Sequence, residues 1–283
     1  MTSSKDQEFT LEQKKKTSSS WFKELRDMIC AEFELIELEL GGDAKFSRTK
    51  WDRASGGGGE MSVMRGEVFE KVGVNISTVY GEFPEVLAKE MPGAEKDVNF
   101  WASGISLVAH MKSPKVPSVH MNTRMIVTNK LWFGGGADLT PTFEVAEDTA
   151  DFHNAFKIAC DKYNPEFYPK YKKECDQYFF IKHRNQPRGV GGIFYDYFNT
   201  GDWSSDMDYT KDVGLAFLDI FPKLVRRNYE LSWSEDDKER QLAKRALYAE
   251  FNLVYDRGTK FGFLTGGNPE AILMSLPPLC AWR

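Results

Sequence analysis

The stretch VHMNTRMIVT, Val119 to Thr128, decides the fold. Val119, Met121, Thr123, Met125 and Val127 fall on every second position, so in an extended chain they share one face. The other face carries His120, Asn122, Arg124 and Ile126. This alternation specifies a half-buried β-strand whose apolar side meets a core and whose polar side meets water or a ligand. Phe100 to His110 repeats the pattern and aligns Ser106, Val108 and His110 on one face. Two such polar rows favour a ligand over an ordinary solvated sheet face.

Further out, Val74 to Tyr80 alternates like another strand, and Pro114 and Pro117 make the link into Val119 irregular. Toward the N-terminus, Trp21, Phe22, Leu25, Met28, Ile29, Phe33 and Ile36 recur at helical spacing until Gly41-Gly42. Residues 1–20 read as a polar arm, and Gly56 to Gly59 as a flexible loop with no Lys-Ser/Thr to make a phosphate cradle. On the other side, Val145 to Tyr163 and Glu166 to Phe180 fit amphipathic helices, and Gly189 to Phe198 fits a glycine loop and strand. A helix from about Asp206 to Arg227 carries Pro222 within it. Ser234-Glu235-Asp236-Asp237 forms a capping box that opens a helix to about Leu247. Ala249 to Tyr255 and Phe261 to Thr265 read as strands around a hairpin-like turn at Asp256-Arg257-Gly258. No repeat, linker or composition break divides residues 21–283, which predicts a single α+β domain with about seven largely antiparallel strands.

Composition bounds the function. The 283 residues are 41% hydrophobic and 28% charged, enough for a sizeable core. Thirty-seven basic against 42 acidic residues give a net charge of −5, which argues against a dedicated nucleic-acid binder. The 14% aromatic content suits a large core or the enclosure of something flat. No apolar run reaches the ~18–20 residues of a membrane span, and the polar start lacks a secretory signal. Cys30, Cys160, Cys175 and Cys280 form no CxxC pair, so reduced thiols in the cytoplasm are expected.

Several side chains are candidates for chemistry. His110, His120, His153 and His183 are the only histidines; imidazole suits several divalent metals, yet no helical ligand spacing is present. Asp138 follows Gly134-Gly135-Gly136, where a backbone can approach a ligand closely; an Asx-turn or helix entry reads equally well. Arg257 and Lys260 are turn charges or a carboxylate clamp, and Thr265-Gly266-Gly267-Asn268 could present backbone N–H groups to an anion.

Seven stretches carry a resemblance: FEKVGVNIS (Phe69 to Ser77), WASGISLVAH (Trp101 to His110), PSVHMNTRMI (Pro117 to Ile126), WFGGGADLTP (Trp132 to Pro141), YPKYKKECDQYFFIKHR (Tyr168 to Arg184), RGVGGIFYDYF (Arg188 to Phe198) and EFNLVYDRGTKFGFLTGGNPEAILMSLPPL (Glu250 to Leu279). From about Trp51 onward the sequence resembles the oxygen-dependent coproporphyrinogen III oxidases of haem biosynthesis. The resemblance implies a flat antiparallel sheet of about seven strands between helices, a homodimer using the region Glu250 to Phe261, and a tetrapyrrole substrate. It implies oxidative decarboxylation of two propionates of coproporphyrinogen III to vinyl groups, giving protoporphyrinogen IX, CO2 and H2O2, with O2 as acceptor and no other required cofactor. By motif match, Ser106, Asn122 and Arg124 would contact substrate, His120 would donate a proton, and Asp138 would receive pyrrole N–H bonds. Thr265, Gly266, Gly267 and Asn268 would lie by a substrate carboxylate. Some relatives are described with a divalent metal on four histidines, which map to His110, His120, His153 and His183; no metal is expected to be required here.

The sequence departs from the family pattern at Arg245-Ala246-Leu247-Tyr248, where Arg-Gly-Arg-Tyr is usual, and ends at Trp282-Arg283 where relatives usually continue. The residues nevertheless suit the chemistry. Arg124 offers a bidentate fork to carboxylate, Arg257 a further cation, and Asp138 an acceptor whose withdrawal of a pyrrole proton lets the electron-rich ring supply electrons to O2. Two other readings stand beside this one: a tetrapyrrole carrier without turnover, and a metal-dependent oxidase.

Overall fold

The computed structural model describes residues 9–282. Its elements run α1 (Leu11–Glu39), β1 (Ser47–Asp52), β2 (Gly57–Met64), β3 (Phe69–Glu82), the single-turn α2 (Glu85–Ala88), β4 (Asn99–Met111), β5 (Ser118–Val127) and β6 (Leu131–Thr140). There follow α3 (Ala146–Asp161), α4 (Phe167–Tyr178), the two-residue strands β7 (Phe180–Ile181) and β8 (Gln186–Pro187), β9 (Gly191–Phe198), α5 (Trp203–Asn228), α6 (Glu235–Val254), α7 (Arg257–Leu264) and α8 (Pro269–Leu273). Seven strands form one flat sheet in the order β1-β2-β3-β4-β5-β6-β9, every neighbouring pair antiparallel. The α+β architecture and the strand count agree with the sequence reading.

The alternation in β4 and β5 builds two unlike faces. Ile105, Leu107, Ala109, Val119, Met121, Met125 and Val127 enter one core with α1, α3 and α5, where Phe22, Leu25, Phe33, Phe152, Phe156, Phe217 and Phe221 are buried. Each such side chain contributes roughly 1.5–3 kcal/mol on burial, so this face is the foundation. The opposite face is covered by α6 and by the segment through α8. Gln241 of α6 donates to the carbonyl of Met111, and Asn75 of β3 donates to that of Ala271.

Four expectations are corrected. Residues 11–20 of the polar arm are the first turns of α1, opened by a reciprocal capping box between Thr10 and Gln13; residues 1–8 lie outside the described residues. Gly57, Gly58 and Gly59 belong to β2 rather than a flexible loop, because a Cβ on Gly59 would stand 2.7 Å from the Trp51 ring. Gly134 to Asp138 is strand β6, so Asp138 is neither an Asx-turn nor a helix entry. Ala249 to Tyr255 continues α6, and Phe261 to Leu264 lies in α7, so the hairpin is absent; Asp256 is instead the N-cap of α7, accepting from the Thr259 N–H. The buried positions Gln241, Arg245, Tyr248, Ala249 and Asn252 keep a helical period, but the inner face is polar and hid it from a hydrophobic reading.

Glu37 fastens α1 to the sheet. Its fully buried carboxylate accepts from the backbone N–H groups of Glu67, Val68 and Phe69 at 2.8–3.0 Å. Glu37→Ala leaves two buried donors, the Val68 and Phe69 N–H groups, and the part-buried Glu67 N–H unsatisfied, each buried one costing about 1–3 kcal/mol. Urea denaturation is expected to show a loss of at least ~3 kcal/mol; a loss under ~1 kcal/mol would show that the β2–β3 connection does not depend on this cap.

Candidate active site

Strand register gathers the polar side chains. One row across the sheet reads Gly73–Val108–His120–Asp138–Gly192, the next Asn75–Ser106–Asn122–Gly136–Phe194, and the next Ser77–Gly104–Arg124–Gly134. Side chains paired in this way share a face. His120, Asn122, Arg124, Ser106 and Asp138 are therefore brought together as the sequence indicated, with Ser106, Asn122 and Arg124 half-buried on the floor.

A continuous chain of hydrogen bonds crosses this floor. His120 Nδ1 lies 2.9 Å from Asp138 Oδ1, and Asn122 Nδ2 lies 3.0 Å from His120 Nε2. Arg124 Nη1 donates to Asn122 Oδ1 at 2.9 Å, which fixes that amide with its NH2 toward the imidazole. The assignment consistent with all three bonds has His120 protonated on Nδ1 and accepting at Nε2. Arg124 Nη2 pairs with Asp196 Oδ1 at 2.9 Å, and Asp196 Oδ2 is 3.4 Å from Arg257 Nη2. Arg257 also lies over the Tyr178 and Phe194 rings, 4.9 and 5.6 Å from their centroids, and is the more exposed cation. Gly134 is required where Arg124 meets Asp196: a Cβ there would lie 2.8 Å from Arg124 Nη2 and 2.9 Å from Asp196 Oδ1.

Asp138 is 1% exposed, and its partner was missed in the sequence. Arg188, just before β9, donates Nη2 to both Asp138 oxygens at 2.8 Å and Nη1 to Asn252 Oδ1 of α6 at 3.0 Å. Its guanidinium lies 4.1, 4.4 and 4.8 Å from the ring centroids of Phe179, Tyr248 and Phe251. Burial pushes the Asp138 pKa up, but Arg188 and the His120 bond outweigh it and hold the carboxyl below its ordinary value. Arg188 shifts upward because Asp138 outweighs its own burial. A fully buried carboxylate on a strand demands a cation. The signals available were Arg188, set immediately before the glycines opposite Asp138, and Asp196, the lone acid within GGIFYDYF.

The other candidates lie elsewhere. Thr265 to Asn268 join α7 to α8: the N–H groups of Gly266 and Gly267 bond the carbonyls of Phe263 and Gly262, and the Asn268 side chain caps α8. These groups are engaged within the connection and do not form an open anion nest. The histidines are also dispersed in their bonding. His110 Nε2 bonds the Ser275 carbonyl, His153 bonds the Val190 carbonyl and Tyr168 hydroxyl, and His183 bonds Tyr255 and Glu250. Among the described residues no group of three His, Cys, Asp or Glu side chains is arranged to hold a metal ion. Arg245 and Tyr248 of the divergent segment are buried, Arg245 bonding Glu70 and the Met111 carbonyl.

A family model described as coproporphyrinogen III oxidase matches residues 17–283. The chain is 59% identical over 273 residues to the oxygen-dependent coproporphyrinogen-III oxidase of Rickettsia bellii (strain OSU 85-389), covering 95% of this chain and 98% of that relative. It is 59% identical over 269 residues to the protein of the same description from Rickettsia akari (strain Hartford), covering 93% of this chain and 96% of the relative. The relative from Rickettsia africae (strain ESF-5) is 58% identical over 269 residues.

Arg188→Met strands the buried Asp138 charge and is expected to cost about 3–5 kcal/mol in urea unfolding. Combining it with Asp138→Asn removes that charge and is expected to recover part of the loss. Additive losses in the double-mutant cycle would show that the two side chains are not coupled.

Proposed function

The chain belongs to the coproporphyrinogen III oxidase family, and we propose that it oxidatively decarboxylates two propionates of coproporphyrinogen III to vinyl groups, giving protoporphyrinogen IX in haem biosynthesis. The observation that carries this reading is the chain Arg188–Asp138–His120–Asn122–Arg124–Asp196–Arg257, which places cations and acceptors in one band on a sheet face. The row through His120 crosses five strands, four spacings of about 4.8 Å each, a breadth on which a macrocycle can lie flat.

Each turnover removes one propionate carboxylate as CO2 and a hydride equivalent from its β-carbon. Oxygen accepts the two electrons and, with a proton, leaves as H2O2. The pyrrole ring supplies those electrons once its N–H proton is drawn away, so no cofactor beyond O2 is required. Asp138 Oδ1 is filled by His120 and Arg188, whereas Oδ2 accepts only from Arg188 and retains a lone pair for a pyrrole N–H. His120 sits beside it as the proton-transferring group. Arg124 and Arg257 take substrate carboxylates in competition with Asp196, and Ser106 and Asn122 complete the floor.

The same reading makes the protein a homodimer. Leu253 and Val254 of α6 stand about half exposed within the region implied for dimer contact, and Phe263 and Leu264 of α7 are equally exposed just beyond it. No helix among the described residues is long and apolar enough to cross a membrane, and the four cysteines are unpaired, which supports a cytoplasmic location.

Asp138→Asn is expected to lower kcat by about 10²–10⁴, whereas Arg124→Lys, which keeps charge but loses the fork, raises KM as well. Steady-state assay of protoporphyrin fluorescence on folded variants checks both. A kcat for Asp138→Asn within about threefold of wild type, under ~0.7 kcal/mol, would exclude Asp138 from proton withdrawal. Wild-type turnover is expected to survive chelation; its loss would establish the metal-dependent reading, and binding without oxygen consumption the carrier reading. Light scattering at micromolar concentration is expected to give a dimer, and a monomer alone would remove the α6–α7 contact.

A further inference from the structure

Beyond the floor, one side chain on the same face has no role in the scheme above. Lys71 of β3 pairs in register with His110 of β4, and its Nζ donates to the carbonyl of Leu276 at 2.7 Å. Among the described residues no carboxylate lies within ion-pair distance of it. A neutral carbonyl is a weaker partner for an ammonium than a carboxylate. Burial, aided by Arg65 and opposed by Glu270, pushes the amine down to about 8, as befits a cation lacking a full counter-charge.

Lys71 is one of four donors that hold a strap, residues 265–276, against the sheet. Arg53 Nε bonds the carbonyl of Thr265 at 2.7 Å, Asn75 Nδ2 that of Ala271 at 3.0 Å and His110 Nε2 that of Ser275 at 2.9 Å. The strap contributes little apolar burial: no residue of α8 is buried, and between Thr265 and Leu276 only Met274 is a buried apolar side chain. Met274 presses on Gly73, its sulfur 2.3 Å from where a Cβ would stand, in the same row as His120 and Asp138. A ligand spreading from His120 toward β3 must therefore displace Met274, and lifting the strap releases the Leu276 carbonyl from Lys71.

We propose that Lys71 is a further carboxylate-binding residue for the tetrapyrrole, held by the strap carbonyl in the ligand-free chain and transferred to a substrate propionate when the strap lifts. Arg124 and Arg257 stand toward the β9 side of the floor and Lys71 toward the opposite side, so carboxylates on opposite flanks of one macrocycle meet cations at both ends. His110 cannot fill this role, since burial drives its pKa down to about 3 and keeps the imidazole neutral. The proposal rests on the coproporphyrinogen reading and deepens it.

The test is the steady-state kinetics of Lys71→Met and Lys71→Arg with coproporphyrinogen III in air. Loss of one charge-assisted bond raises KM of Lys71→Met about 10–100-fold, with kcat within about threefold of wild type and KM largely restored by Lys71→Arg. A purely structural latch gives a different pattern: lost thermal stability with unchanged KM. Should Lys71→Met fail to fold, Lys71→Gln keeps a donor without the charge, and the same rise in KM is expected. A KM for the folded neutral variant within twofold of wild type overturns the proposal. Wild-type enzyme that does not turn over coproporphyrinogen III overturns the underlying reading instead, and the two failures are visible separately.

Discussion

The pairing of Asp138 with Arg188 is the constraint on which the polar half of the molecule depends. Asp138 is fixed by strand register near the C-terminal end of β6, and its charge is shut away from water. Burying a carboxylate there is tolerable only with a geometrically matched cation. Arg188 meets that demand by donating Nη2 to both carboxylate oxygens and, through Nη1 and Asn252, ties the sheet to α6. The rings of Phe179, Tyr248 and Phe251, from the end of α4 and from α6, then close around the guanidinium. One carboxylate thus recruits β9's approach, α6 and the aromatic wall, and in the same stroke orients His120.

The two faces of the sheet divide the labour. On the apolar face, close packing of α1, α3 and α5 gives a rigid base whose side chains carry no chemistry. On the polar face, Arg124, Asn122, His120 and Asp138 bond to one another in sequence, and α6 is polar on the side it buries, where Gln241, Arg245 and Asn252 point inward. Such a layer forms and reopens at lower cost than an oily one, because water can replace its bonds where it cannot replace lost apolar burial.

That division also explains what could be read from the sequence. β4 and β5 were legible because one side of each packs on oil, so period two is printed in the residue types, and with it the alignment of His120, Asn122 and Arg124. α1 was legible from Trp21 onward for the same reason. Its earlier turns, rich in Lys and Ser, announce themselves only through the Thr10–Gln13 box. The end of α6 and the second half of α7 read as strands, and the start of α7 as a turn, because their burial is against polar and aromatic groups, which erases the hydrophobic period. Arg188 carries only its place before the glycines as a signal, since its role comes from a partner 50 positions away. The motif resemblance supplied Asp138 as a functional group, but only geometry reveals how fully it is already engaged.

The bonds among Arg124, Asn122, His120 and Asp138 all run one way, each donor aimed toward the carboxylate. A line of dipoles with a single sense is a conductor of information as well as a scaffold. An anion that captures the Arg124 fork pulls Nη1 from Asn122, the amide is then free to turn, and Nε2 of His120 is unmasked two links away. On the proposed reading, a carboxylate taken up by the Arg124 fork would thus be felt at His120, two hydrogen bonds away.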